Sequence, residues 1–123
     1  MSTQDAFTPA PVKETVTIDV LERLDVRVGT IESVEEVKGS NKLLKLNVNF
    51  GDRRRTILAG MKKERANPRE VVGLQALFVV NLAPRRMAGE VSEGMLFDIG
   101  YADGITPVLA TPERRVPDGA RAG

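Results

Sequence analysis

Leu44-Lys45-Leu46-Asn47-Val48-Asn49-Phe50-Gly51-Asp52 alternates apolar and polar side chains over seven residues and then meets a Gly-Asp pair. A period of two places Leu44, Leu46, Val48 and Phe50 on one face and Lys45, Asn47 and Asn49 on the other. That is the pattern of a strand with one face in a core and the other in water. Gly51 and Asp52 turn the chain, and the return runs through Arg54, Arg55, Thr56, Ile57 and Leu58. A tight hairpin brings Ile57 onto the face of Val48 and Phe50.

Upstream, Val26 and Val28 alternate until Gly29, after which the apolar phase moves to Ile31, Val34 and Val37. The spacing Val28, Ile31, Val34 also fits a helix. The run of Val, Thr and Ile around a central Gly favours a long strand that bends or bulges, since Gly relieves side-chain crowding there. Between Thr17 and Leu24 the positions Ile18, Val20, Leu21 and Leu24 recur at helical spacing, with Thr17 as N-cap, which predicts a short amphipathic helix lying as a lid on the core. Residues 1–16 are rich in Thr, Ala and Pro and read as a mobile tail.

Downstream, Gly60 to Gly73 is a basic connection in which Asn67, Pro68 and Glu70 match an N-cap, a first-turn proline and an acid at the third helical position. One or two helical turns are expected. Leu74 to Leu82 is almost continuously apolar, as in a central strand, and Pro84 stops it. Met95, Leu96, Phe97 and Ile99 supply a fifth strand. Beyond Tyr101, Pro107, Pro112 and Pro117 keep the chain out of a sheet centre, although Val108 and Leu109 leave room for an added strand. The expected fold is therefore all-β: a five-stranded OB-fold barrel with a short N-terminal helix, a helical insert between strands 3 and 4 and a C-terminal extension. Pattern alone keeps a small SH3-like barrel open. The expected division is a tail over 1–16, a barrel over 17–100 and an extension over 101–123.

The length, 123 residues, suits one core, and 41% hydrophobic with 28% charged residues is a globular composition. Neither cysteine nor histidine occurs. Disulfides, zinc ligation by thiolate or imidazole, and Cys-His or Ser-His-Asp catalysis are thereby excluded. No EF-hand-like loop, signal-like start or membrane-length apolar run is present, so the expectation is a cytoplasmic protein that is not an enzyme and needs no cofactor.

The 18 basic and 17 acidic side chains leave a net charge of +1, but they are not evenly spread. Residues 1–37 hold 3 basic and 8 acidic groups (−5), 38–87 hold 12 and 3 (+9), and 88–123 hold 3 and 6 (−3). A basic block of this kind suits a phosphate-facing surface, where each neutralised phosphate releases counterions. Solvated lysines and arginines on a soluble surface would give the same count.

Asn81-Leu82-Ala83-Pro84-Arg85-Arg86-Met87-Ala88-Gly89-Glu90-Val91-Ser92-Glu93-Gly94-Met95 resembles the signature of the tRNA-binding domain family. This is an OB-fold module found free-standing and appended to methionyl- and phenylalanyl-tRNA synthetases. Leu24-Asp25-Val26-Arg27-Val28-Gly29 resembles the family's first strand, and Asn41-Lys42-Leu43-Leu44-Lys45-Leu46 with Phe50-Gly51 its second. Among free-standing members, the Pro84-to-Gly89 run and the tail from Thr111-Pro112-Glu113 through Pro117-Asp118-Gly119 resemble the CsaA-type proteins, associated with tRNA binding and with a chaperone role in export. The chain departs from the family at Val37-Lys38-Gly39-Ser40-Asn41, where a His-Pro-Asn-Ala-Asp-like run is common, and at Ala83, where lysine is frequent.

The resemblance implies roles position by position. Arg85 and Arg86 on a loop held open by Pro84 would grip phosphate oxygens. Lys42 opens strand two as a phosphate contact, and Arg54 and Arg55 near the Arg53–Arg55 hairpin tip are weaker candidates of the same kind. Asn81 would read a base or ribose edge or else fasten the loop to its own backbone. Ser92 would donate to RNA or cap a turn, and Met95 would pack on a base or fill core. Only four phenylalanines and one tyrosine are present, and Phe50, Phe78 and Phe97 fall on apolar strands. That shortage disfavours stacking along single strands and favours a folded RNA read by shape, phosphate and 2′-hydroxyl contacts. The resemblance further implies tRNA as partner and a homodimer seamed by the N-terminal helix and C-terminal segment. Its competing implication is a chaperone for unfolded or export-destined polypeptides.

Overall fold

The structure is a computed structural model and describes residues 7–123. Its elements are α1 (Ile18–Glu22), β1 (Val26–Glu36), β2 (Leu44–Asn49), β3 (Arg54–Ala59), β4 (Gln75–Val79), β5 (Arg85–Met87), β6 (Glu90–Ser92), β7 (Met95–Leu96), β8 (Asp98–Ile99), β9 (Val108–Leu109) and β10 (Arg121–Ala122). The main sheet is antiparallel in the order β3-β2-β1-β4-β7, with β10 added to β1, and it curls into an OB-like half-barrel. Leu46, Val48, Ile57 and Ile31 are completely buried inside it, together with Phe78, whose ring meets Phe50 edge-on at 5.4 Å. The alternation over Leu44–Phe50 is reproduced residue by residue in the burial of β2, and Ile57 pairs with Leu46 on the inner face.

β1 carries the irregularity its pattern predicts, but not at its glycine. A Cβ on Gly29 would lie 2.5 Å from Val48 Cγ1 and 2.7 Å from Phe50 Cε1, so only glycine lets β1 cross this close to the β2 side chains. The register shift itself comes later, between Ile31 and Ser33, and turns Glu32 outward as the extra residue of a bulge. On one edge β1 pairs with β4 from Val26 to Thr30. On the other it pairs with β2 from Thr30 to Glu36.

The C-terminal segment fills the gap that β2 leaves along the first half of β1. Gly119 donates its amide to the carbonyl of Val28 at 2.7 Å, and Val28 donates to Ala120 at 2.9 Å. Arg27 and Val26 then pair with Arg121 and Ala122. Gln75 grips the segment from inside, with Nε2 donating to the Val116 carbonyl (2.6 Å) and Oε1 accepting the Val116 amide (3.1 Å). The Asp118 carboxylate accepts from Thr30 Oγ1 at 2.6 Å and Gln75 Nε2 at 3.0 Å. Residues 116–122 are thus barrel wall.

Several expectations are corrected. The fifth strand is interrupted: β7 pairs with β4, whereas β8 pairs with β9 in a separate hairpin. The insert between β3 and β4 is a single 3-10 turn over Pro68–Val71. The Asn67 side chain accepts from the Arg69 amide at 3.2 Å, and Val71 is fully buried. α1 is no lid, for none of its residues is buried and Ile18, Leu21 and the following Leu24 are exposed. The Thr17 hydroxyl bonds the Asp19 side chain and makes no cap to the helix backbone. Of the expected mobile tail, residues 1–6 lie outside the described residues. Residues 7–16 run without regular structure, and the Ala10 amide donates to Asp103 Oδ1 at 2.6 Å.

Candidate nucleic-acid interface

The outer face of β1, β2 and β3 is a polar lattice built by the odd-numbered positions of β2. Asn47 Nδ2 donates to Ser33 Oγ at 2.7 Å, Asn49 Nδ2 to Glu32 Oε2 at 3.3 Å, and Lys45 Nζ lies 3.9 Å from Glu35 and 3.6 Å from Glu90. Arg54 Nε donates to Glu32 Oε1 at 2.6 Å, which holds the Glu32 carboxyl below the usual carboxylate range. Arg54 and Lys45 are therefore neutralised by acids of both flanking segments, Glu32 and Glu35 from 1–37 and Glu90 from 88–123. Of the 12 basic side chains over 38–87, Lys45, Arg53, Arg54, Lys62 and Arg65 have ion-pair partners. Among the described residues, Lys38, Lys42, Arg55, Lys63, Arg69, Arg85 and Arg86 have none.

Arg85 and Arg86 are not on an open loop. They form β5, the first strand of a hairpin whose turn residues Ala88 (φ 49°) and Gly89 (φ 81°) are both left-handed. Two left-handed residues match the right-handed twist of a two-residue hairpin, and glycine takes the second at no steric cost. The register pairs Arg85 with Ser92 and Arg86 with Val91. Adjacent strand residues face opposite sides, so the two guanidiniums point to different sides of the hairpin. Both are exposed, and Glu90 on the returning strand brings the hairpin alongside β2 through Lys45.

The rest of the motif builds the barrel. Ser92 is 4% exposed; its Oγ accepts the Leu58 amide at 2.9 Å and donates to the Gly94 carbonyl at 2.9 Å. Glu93 donates its amide to the Thr56 carbonyl (2.8 Å) and accepts the Thr56 amide on Oε1 (3.0 Å), so this turn closes the barrel against β3. A Cβ on Gly94 would sit 2.7 Å from the Val79 carbonyl oxygen, which fixes glycine there. Asn81 uses both ends of its amide as a clamp: Oδ1 accepts from Asp25 N–H and Nδ2 donates to the Arg23 carbonyl, each at 2.8 Å. These bonds are those of the fastening role read from sequence for Asn81 and the turn-holding role read for Ser92. Met95 is the exception, exposed on β7.

Arg55 belongs to the same framework, for its Nη1 donates to the carbonyls of Val80 (2.8 Å) and Glu93 (3.3 Å). It borders a cleft of about 240 Å³ at the start of β1, lined also by Asp25, Arg27, Phe50, Arg53 and Asn81. Asp25 accepts from Arg27 Nε at 3.0 Å and from Arg121 Nε at 3.1 Å, and these bonds, Arg27 first, lower its pKa. Sequence reasoning missed Arg27, whose only signal was its place in the first-strand motif. Lys42 is exposed in the β1–β2 connection, two residues before β2 begins, and does not open the strand as its pattern suggested. Among the described residues no cluster of three acidic side chains is arranged to hold a metal ion, and no helix is long and apolar enough to cross a membrane.

A small curled β-barrel with a polar strand face and an exposed basic hairpin on its rim defines the class as an OB-like binding module. The family described as "Putative tRNA binding domain" matches residues 26–121, and the chain belongs to that family. The match runs through Gly119 and Ala120 to Arg121, the first residue of β10, in keeping with the C-terminal segment being barrel wall. The fold is similar to a MetRS-related protein from Pyrococcus horikoshii, at TM-score 0.82 and 35% identity over 90% of this chain and 100% of that one. It is also similar to the chaperone CsaA from Bacillus anthracis str. Ames (TM-score 0.74, 28% identity, 89% of this chain and 100% of that one). The CsaA chaperone protein from Picrophilus torridus compares at TM-score 0.77 and 26% identity, over 89% and 100%.

Proposed function

We propose that this protein is a non-catalytic, cytoplasmic tRNA-binding protein that recognises folded RNA by shape and phosphate contacts. The observation that carries the reading is the hairpin within the family match that holds Arg85 and Arg86 exposed and, among the described residues, free of acidic partners. Guanidinium groups without internal partners keep all their donors for phosphate oxygens. Lys42 adds a third contact, and Met95 offers an exposed thioether beside the rim. Phe50 and Phe78 are buried, which supports shape recognition over stacking.

The protein acts as a homodimer in this reading. Val12 is 99% exposed, and Val16, Ile18, Leu21 and Leu24 follow it along the N-terminal segment. Ile99, Tyr101, Ile105 and Val108 form a second exposed apolar set, tied to the first where Ala10 meets Asp103. Two such sets on one small barrel suit a two-fold seam, and the pair of basic rims would let one folded RNA span both copies. The experiment is a competition assay in which unstructured RNA of equal length displaces labelled tRNA, run on material whose mass is measured by light scattering. Much weaker competition by the unstructured RNA and a dimeric mass are expected; equal competition removes shape recognition.

The chaperone reading draws on the same apolar sets and on the CsaA likeness. It predicts that substoichiometric protein suppresses aggregation of a denatured model protein, and that saturating tRNA leaves this suppression intact if the sites are separate.

A further inference from the structure

The basic hairpin is a sheet of its own. Among the described residues, β5 and β6 pair with each other and with no strand of the main sheet. A lone two-stranded hairpin is marginal in water, so its direction is set where it joins the barrel. It joins through two roots, Val80-Asn81 on the way out and Ser92-Glu93 on the way back. The β4–β7 ladder that draws these roots together stops at the pair Val79–Met95, short of both.

Arg55 takes over where the ladder stops. It pairs with Val48, two residues from the Leu46–Ile57 pair, so its side chain leaves the inner face of β3 and enters the cleft it shares with Phe50 and Val80. From there it reaches the far wall, where Nη1 donates to the Val80 carbonyl at 2.8 Å and to the Glu93 carbonyl at 3.3 Å. A guanidinium Nη carries two hydrogens, and the two roots take both. The remaining clamps each hold one root to the barrel. Asn81 fastens the outgoing root to Arg23 and Asp25, while Ser92 and Glu93 fasten the returning root to Leu58 and Thr56. Arg55 holds the roots to one another, and a charged donor makes that bridge stronger than a neutral one would.

We propose that Arg55 is a positioning residue for RNA binding: it holds the hairpin in the direction that presents Arg85 and Arg86, and makes no phosphate contact of its own. The proposal rests on the tRNA-binding reading of the hairpin, and it removes Arg55 from the phosphate contacts that the family resemblance implies. Without the bridge the hairpin presents its arginines for only part of the time, and apparent affinity falls by that fraction. The phosphates neutralised in the complex stay the same, so counterion release does not change.

The test is anisotropy of labelled tRNA over a salt series, with folding checked by circular dichroism. The proteins are wild type, Arg55→Met, Arg85→Ala/Arg86→Ala and the triple variant that combines them. Arg55→Met keeps an unbranched stem and removes the donors. A hairpin presented about a fifth of the time binds about fivefold more weakly, so Arg55→Met is expected to lose about fivefold in affinity at the wild-type salt slope. The triple variant is expected to bind as Arg85→Ala/Arg86→Ala does, since no cation is left on the hairpin to present. Backbone amide relaxation of the free protein is expected to show larger motion from Arg85 to Ser92 in Arg55→Met, with β2 and β3 unchanged. A salt slope lower by about 1 in Arg55→Met, with the same further loss in the triple variant, makes Arg55 a phosphate contact and overturns the proposal. Wild-type affinity or wild-type hairpin motion in Arg55→Met overturns it as well. These results leave the hairpin reading standing while Arg85→Ala/Arg86→Ala weakens binding. If that variant binds like wild type, or wild type does not bind tRNA, the hairpin reading and the proposal fall together.

Discussion

Ser92 accepts the backbone amide of Leu58 on its hydroxyl oxygen at 2.9 Å, standing in for a strand carbonyl at the point where the barrel closes on β3. Ser92→Ala leaves that amide buried and unpaired, at a cost of about 1–3 kcal/mol. Thermal denaturation should show the loss as a lower Tm, with tRNA affinity unchanged at temperatures where the variant is folded. Preserved stability with weakened RNA binding would return Ser92 to the RNA surface.

The barrel was legible where one face is wet and the other buried, as over Leu44–Phe50. It was less so where a residue's neighbours come from far along the chain. Periodicity at Ile18, Leu21 and Leu24 predicted a buried helix face, but the same pattern serves a face left exposed on one chain. Nothing local to Pro117–Ala122 announces that it completes the edge of β1, about 90 residues away in sequence. The hairpin Arg85–Ser92 was hidden because its turn begins with Ala88, a residue that seldom adopts the left-handed conformation. Charge blocks identified the basic segment but not its pairing, since Glu32, Glu35 and Glu36 reach Arg54, Lys45 and Lys62 across strands.

Ala88 holds φ 49° without the freedom of glycine or the local hydrogen bonds of asparagine. Ala88→Gly or Ala88→Asn should therefore stabilise the hairpin by about 1 kcal/mol or less. Slower amide exchange at the cross-strand positions Arg85 to Met87 is the readout, and faster exchange would contradict the turn assignment.

Glu32, Glu35 and Glu36 neutralise cations on the rim and outer face. Replacing all three with Gln should raise affinity for random duplex DNA several-fold and steepen its salt dependence, since about three cations become free for phosphate. Anisotropy with a labelled duplex measures this, and unchanged DNA binding would show that these acids do not limit polyanion binding.

Asp25 bonds Arg27 and Arg121 and so joins β1 to β10. Its pKa is lower folded than unfolded, so the stabilisation is fully present above the unfolded carboxylate value, about 4, and is lost as pH falls through the folded value. Hydrogen exchange at Val28 and Gly119 should accelerate over that acid range in wild type. In Asp25→Asn it should be faster at neutral pH and flatter with pH; identical profiles would separate Asp25 from the hold on the C-terminal strand.

The most direct test of the central claim is fluorescence anisotropy of labelled tRNA with wild type and Arg85→Ala/Arg86→Ala, at salt concentrations of about 50 and about 200 mM. The hairpin reading predicts tenfold or greater weakening at the lower salt, about two units less salt slope, and roughly half of each effect in either single variant, since the two arginines point to different sides of the hairpin. A double variant that binds with wild-type affinity and salt dependence would contradict it.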